Sequence, residues 1–158
     1  LVPIVLGAAL LGPWAGGWLG LVFGAVVLIS GEAAWFMGMN LPGTVITVLL
    51  KGTVAGFVSG AVYRLIEKKN RTAAMFTSAA LCPIINTALF FCGCYLFFFE
   101  GLTSAAASGG QTLLAYIIIV LIGGNFIFEL VFNLVLAPVI LRLIDVGKKM
   151  LGQVPKND

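Results

Sequence analysis

A chain of 158 residues that is 61% hydrophobic and only 9% charged, with a mean hydropathy of +1.13, does not fit an ordinary water-soluble domain, where about a quarter of residues are charged. The net charge of +3 does not point to nucleic acid, because the basic residues gather at the ends of apolar runs. Histidine is absent, and with no metal cluster, nucleophile elbow or phosphate loop either, the chain does not read as an enzyme and implies no cofactor.

The first apolar run, 1–11, is already in progress at Leu1. Eleven helical residues rise about 16 Å, against a hydrocarbon core of about 30 Å. The run lacks the basic leading region of a signal peptide. Four longer apolar segments follow at 13–31, 42–66, 72–99 and 111–146, and 147–158 reads as a polar tail. Residues 72–99 and 101–128 contain no charged side chain at all. The breaks fall at Gly12-Pro13, 31–40, 67–71 and 100–110, each carrying turn or charge signals. The fold class expected is an all-α integral membrane bundle of about five spans, with no room for a separate soluble domain. The last segment is longer than one crossing needs, so it projects, tilts or bends at Pro138.

Charge sets the expected orientation. Lys68, Lys69 and Arg71 flank the third and fourth segments, and Arg142, Lys148, Lys149 and Lys156 follow the fifth. Both regions are expected in the cytoplasm, which makes the C-terminus cytoplasmic. The connections 31–40 and 100–110 hold Glu32 and Glu100 and no basic residue, so both are expected outside. Alternation then puts Leu1 outside, an arrangement that a further helix upstream would repair. The expectation is six helices in the full protein, with both ends inside.

Small residues repeat at four-residue spacing. Gly12, Gly16, Gly20 and Gly24 form one stripe, and Gly52, Gly56 and Gly60 another. Residues four apart share a helix face, so each stripe is a smooth backbone surface for helix packing or for a partner membrane protein. Cys82, Cys92 and Cys94 lie inside one apolar run and read as small apolar fillers, with redox chemistry at Cys92-x-Cys94 as the alternative.

The polar exceptions are few. Lys51 lies within an apolar stretch, eight residues past Gly43, about 12 Å below the outer end of its helix. It binds an anionic ligand, makes an ion pair, or snorkels to the interface. A Ser59–Lys51 pair would lie two turns apart and carries no catalysis. Asn125, Glu129 and Asn133 form a polar stripe at spacing four on the last helix. The stripe is a binding wall at Asn125 and Glu129, or a clamp between helices, with Asn133 the better clamp and Glu129 a partner for Lys51. Asn86 follows Pro83 by three residues; it lines a cavity or satisfies the carbonyl that the proline frees, and Thr87 shares its position. The connection 31–40, with Glu32, Trp35, Phe36, Met37, Met39 and Asn40, is either a lid over a flat ligand or an interfacial aromatic belt. Trp14 and Trp18 fit the belt or lipid contact.

Several stretches carry a resemblance: 2–13 (VPIVLGAALLGP), 15–20 (AGGWLG) with Gly24, 50–56 (LKGTVAG) with Gly60, 82–86 (CPIIN), and 125–138. On these the chain resembles the substrate-binding S components of energy-coupling factor (ECF) vitamin transporters, over nearly its whole length. The resemblance implies a six-helix bundle that binds a vitamin-like molecule near the outer face. It also implies docking onto a membrane coupling protein that carries two ATP-binding subunits, and toppling in the bilayer to release substrate inward. The family's coupling motif usually lies on a first helix that this chain does not contain. The second-segment glycine stripe is then a candidate contributor to docking. Carried onto this sequence, the ligand contacts expected are Glu32, Trp35, Asn40, Lys51, Asn86, Asn125 and Glu129. Lys51 with the amides suits a carboxylate-bearing substrate such as pantothenate or a folate, and the aromatic connection suits a flat ring such as riboflavin. The alternatives are a small proton-coupled carrier using Glu129, and a non-transporting membrane scaffold.

Overall fold

The computed structural model describes residues 1–150, with the side chains of 120–122 and 148–150 outside that description. Of the expected tail 147–158, residues 147–150 continue the last helix, while 151–158 and the side chains of Lys148, Lys149 and Lys156 lie outside the described residues. The elements are helices α1 (Val2–Leu11), α2 (Pro13–Ile29), α3 (Ala34–Met39), α4 (Leu41–Glu67), α5 (Arg71–Phe97), α6 (Phe99–Ser108) and α7 (Leu113–Tyr116), a π-helical turn (Ile117–Gly123), and α8 (Gly124–Met150). Three apolar stretches are long enough to cross a bilayer: α4, α5, and the run Leu113–Gly147; α1 and α2 are shorter apolar helices.

Helix ends follow local chemistry. Gly12 joins α1 to α2 with φ at 106°, a left-handed conformation that glycine adopts without a Cβ penalty, and Pro13 starts the next helix where its missing N–H is not needed. Asn40 and Asn70 cap α4 and α5 through their Oδ1 atoms, which accept from Gly43 N and Ala73 N at 2.9 Å each. Asn40 Nδ2 also donates to Phe97 O at 3.3 Å, tying the start of α4 to the end of α5.

Helix α4 is central, packed between α2 and α5, while α8 closes on α5 and α1. The contact of α2 with α4 is made of backbone. Gly16 faces the carbonyl of Gly56, Gly20 and Gly52 face each other, and a Cβ on Gly24 would lie 2.8 Å from Val48 O. A Cβ on Gly60 would lie 2.9 Å from Pro13 Cα, and one on Gly12 would lie 3.3 Å from Arg64 Nη2. The two stripes therefore form one antiparallel seam inside the bundle. Gly16, Gly20 and Gly24 are buried in that seam, which removes them from any open docking face.

The main apolar core joins Ile4, Val5, Tyr63, Met75, Ile140 and Ile144. A second cluster, with Phe98, Leu102 and Ile117 at its centre, lies at the other end of the bundle, where Phe36 and Met39 of α3 pack on it. Cys82 and Cys94 are buried, one in each cluster. Around these cores the surface is strongly apolar: Trp14 is 83% exposed and Phe128 66%, with Val131, Val135 and Val139 in line along α8. Exposed valine, phenylalanine and tryptophan on this scale suit hydrocarbon and not water.

The connection 100–110 differs from its expected loop. It holds α6, with Leu102 and Ala106 buried one turn apart and the hydroxyls of Thr103 and Ser104 folded back onto Phe99 O and Glu100 O. The expected fifth segment is broken by the π-helical turn just before Gly124.

The bundle has two unlike ends. Arg64, Lys68, Lys69, Arg71 and Arg142 mark one, together with the Gly12-Pro13 turn, and there Arg71 is ion-paired with Asp145 of α8. Glu32 and Glu100 mark the other.

Candidate functional site

Pro83 lies inside α5 and has no N–H to give to the carbonyl of Ala79 one turn earlier. That carbonyl accepts from Asn133 Nδ2 of α8 at 3.3 Å. Asn133 is thus the clamp between helices. Asn86 is left with another role. It is 4% exposed, its Oδ1 has no hydrogen-bond partner, and it lines a cavity of about 250 Å³.

The cavity opens at the acidic end, where five elements converge. From α4 comes Lys51, whose Nζ sits 4.7 Å from the centroid of the Phe90 ring. From α5 come Asn86 and Thr87, four and three residues before Phe90 and so one turn from it on the same side of the helix. Glu32 and Phe36 cover it from the α2–α3 region, and Asn125 with Phe126 closes it from α8. Phe36 meets Phe90 edge to face at 5.3 Å and Phe98 at 5.1 Å, which fixes the cover over the wall.

Lys51 is not in contact with an acid. Among the described residues no carboxylate lies within 4.0 Å of its ammonium, although both Glu129 and Glu32 act on it electrostatically. Glu129 stands one turn past Asn125, its hydrogen-bonding neighbour, and its Oε2 is buried without a partner. A half-buried cation and a buried unpartnered acceptor, Asn86 Oδ1, face a space that a ligand would fill, and a second such acceptor, Glu129 Oε2, lies one turn along α8 from the wall residue Asn125.

Four of the seven expected ligand contacts, Glu32, Lys51, Asn86 and Asn125, are brought together here. Glu129 stands behind Asn125 and outside the wall. Asn40 and Trp35 are placed elsewhere: both ends of the Asn40 amide are engaged in capping α4 and holding Phe97, and Trp35 is 46% exposed and braces Phe36 edge-on at 5.0 Å. Their place in the aromatic connection 31–40, read as a lid that contributes ligand contacts, is what suggested them. Phe90 and Phe126 went unnoticed in the sequence. One signal was available, since each lies beside or one turn from a polar wall residue, Asn125 or Asn86.

A second groove, of about 430 Å³, runs over α2 and α4 between Trp14, Trp18 and Phe57. Its one hydroxyl, on Thr53, is bonded to Leu49 O at 2.7 Å. Apart from the indole N–H groups of Trp14 and Trp18 it offers a ligand no free polar side-chain group, and it faces the same apolar surroundings as the rest of the surface.

An all-α bundle with an apolar surface and a charged, amide-lined cavity among its described residues defines a membrane-embedded protein equipped to bind a small molecule. The comparison with protein families agrees: the model of the ECF transporter, substrate-specific component, matches residues 1–141. The chain belongs to this family, whose members bind small-molecule substrates and work with an energising module of coupling protein and ATPases. A search of curated proteins and a search of solved structures each found no match.

Proposed function

We propose that this chain captures a vitamin or related small molecule with high affinity in the Lys51–Asn86 cavity at the outer face of the cell membrane. It then takes part in import as the S component of an ECF transporter, powered by a coupling protein and two ATP-binding subunits. The observation that carries the reading is the unpaired Lys51 ammonium beside the unpartnered Asn86 Oδ1 in one cavity at the acidic end. The basic residues at the opposite end support a cytoplasmic position for that end and for the C-terminus, by the positive-inside rule. Substrates with a carboxylate and hydrogen-bonding groups, such as pantothenate or a folate, suit Lys51 and the amides, and a flat ring such as riboflavin suits Phe36 and Phe90.

The test is ligand retention by the chain, purified gently in detergent and offered a vitamin mixture, followed by affinity measurement. Lys51→Ala and Glu129→Gln are expected to weaken binding of the retained compound by about tenfold or more, since each removes a charge-assisted contact or its support. Unchanged affinity in both variants would remove the cavity from the binding role.

One observation favours a second reading. The buried, unpartnered Oε2 of Glu129 suits a carboxylate that takes up and releases a proton during transport. Uptake that collapses with the proton gradient, in membranes that lack ATP-binding subunits, would establish that carrier in place of the ATP-driven one.

A further inference from the structure

The reading of the cavity as the substrate site leaves the chemistry of its occupant open, and the walls narrow it. We propose that the ligand is dipolar: a small compound with a flat ring, one acidic group that meets Lys51, and one amino or other N–H group that meets Asn86 Oδ1 and the carboxylates nearby. This rests on the substrate-site reading above.

The first argument is charge. Lys51 and Glu32 are both cavity walls, and Glu129 stands behind Asn125, yet no ion pair closes between Lys51 and either acid. A neutral ligand would leave the half-buried ammonium without a counter-charge in contact, which is costly. A ligand bearing acids alone would add a third negative group beside two carboxylates. A ligand with one group of each sign satisfies the cation and is tolerated by both acids.

The second argument is hydrogen bonding. Asn86 is 4% exposed and its Oδ1 accepts from nothing in the chain. An acceptor buried that deeply calls for a donor, and because Asn86 lines the cavity, a ligand N–H is positioned to supply it in place of water.

The third argument is shape. Phe36, Phe90 and Phe126 supply aromatic walls from three different elements. They suit an offset or edge-on ring. The cavity, about 250 Å³, is below the roughly 300–1,000 Å³ typical of drug-sized ligands. Among the candidates above, that favours a single ring over a fused or extended one such as that of riboflavin or a folate.

Three compounds of equal heavy-atom count separate these demands: para-(aminomethyl)benzoate, para-ethylbenzoate, which lacks the amine, and para-(aminomethyl)benzamide, which lacks the acid. Titrated calorimetrically into the full chain in lipid nanodiscs, the first is expected to bind at least about tenfold more tightly than either relative. Lys51→Met is expected to erase the preference for acid over amide, Lys51→Arg to keep it, and Asn86→Leu to reduce the preference for amine over ethyl. Equal binding of either relative, or binding of none of the three, overturns the proposal.

Mass spectrometry of the compound retained by the purified chain separates the two levels. A stoichiometric uncharged compound overturns the dipolar ligand and leaves the substrate site standing. An empty chain that also takes nothing from a vitamin mixture removes the substrate-site reading itself.

Discussion

Asn86 and Asn133 are the same side chain in the same apolar interior, and their duties are opposite. Asn133 supplies the N–H that Pro83 withholds from Ala79 O, so removing it strands a buried carbonyl. Asn133→Leu is therefore expected to cost about 1–3 kcal/mol. The loss should appear as a lower unfolding midpoint in detergent. Asn86 carries its own stranded acceptor. Asn86→Leu is expected to leave the midpoint unchanged or raise it, while ligand binding weakens. A fall of equal size in both variants would show that Asn86 is a structural clamp as well. That both residues matter was legible in the sequence, since a polar group in an uncharged run is rare and conspicuous. Which of them the proline claims was not legible. Asn86 is three residues from Pro83 in sequence, but the freed carbonyl points toward α8, and only the packing of α5 on α8 brings Asn133 to it.

At the scale of elements, the glycine stripes were visible as spacing and their partner was not. Spacing four fixes a shared face, but it does not say whether that face meets a helix of the same chain. The structure pairs Gly20 with Gly52 and Gly16 with Gly56, backbone against backbone. Gly20→Val has nowhere to put its side chain and is expected to destabilise by about 1–3 kcal/mol through overpacking. Gly38 is the matching control: it lies in α3 with open space around it, so Gly38→Ala is expected to be neutral or to stabilise by about 0.5–1 kcal/mol. Unfolding midpoints of the two variants in one detergent check the contrast, and equal effects would mean that the α2–α4 seam is looser than it stands here. Helix α6 escaped the sequence reading for a physical reason. Ten residues with Gly101, serines and a run of alanines look like a loop, and only Leu102 and Ala106 show a buried face. The π-helical turn was equally hidden, because a lengthened hydrogen-bond register leaves no mark in a continuous apolar run. It precedes Asn125 and Glu129 and so sets the angle at which α8 presents them.

At the scale of the whole molecule, the pattern of charge and the position of the cavity depend on each other. The cavity opens where Glu32 lies, and Arg64, Lys68, Lys69 and Arg71 stand at the opposite end. Capture from outside requires the Glu32 end to face outward, and the positive-inside rule assigns the same orientation without reference to the cavity. Single cysteines test it directly. Cys82 and Cys94 are buried and Cys92 is exposed, so a Cys92→Ala background leaves no exposed native thiol among the described residues. Ser30 and Lys69 are exposed at opposite ends of the bundle. In intact cells a membrane-impermeant maleimide is expected to label Ser30→Cys, and to label Lys69→Cys only after permeabilisation. The reverse pattern would turn the cavity toward the cytoplasm. Lys51 and Asn86 would then meet a ligand from within, and the protein would serve release or sensing in place of capture.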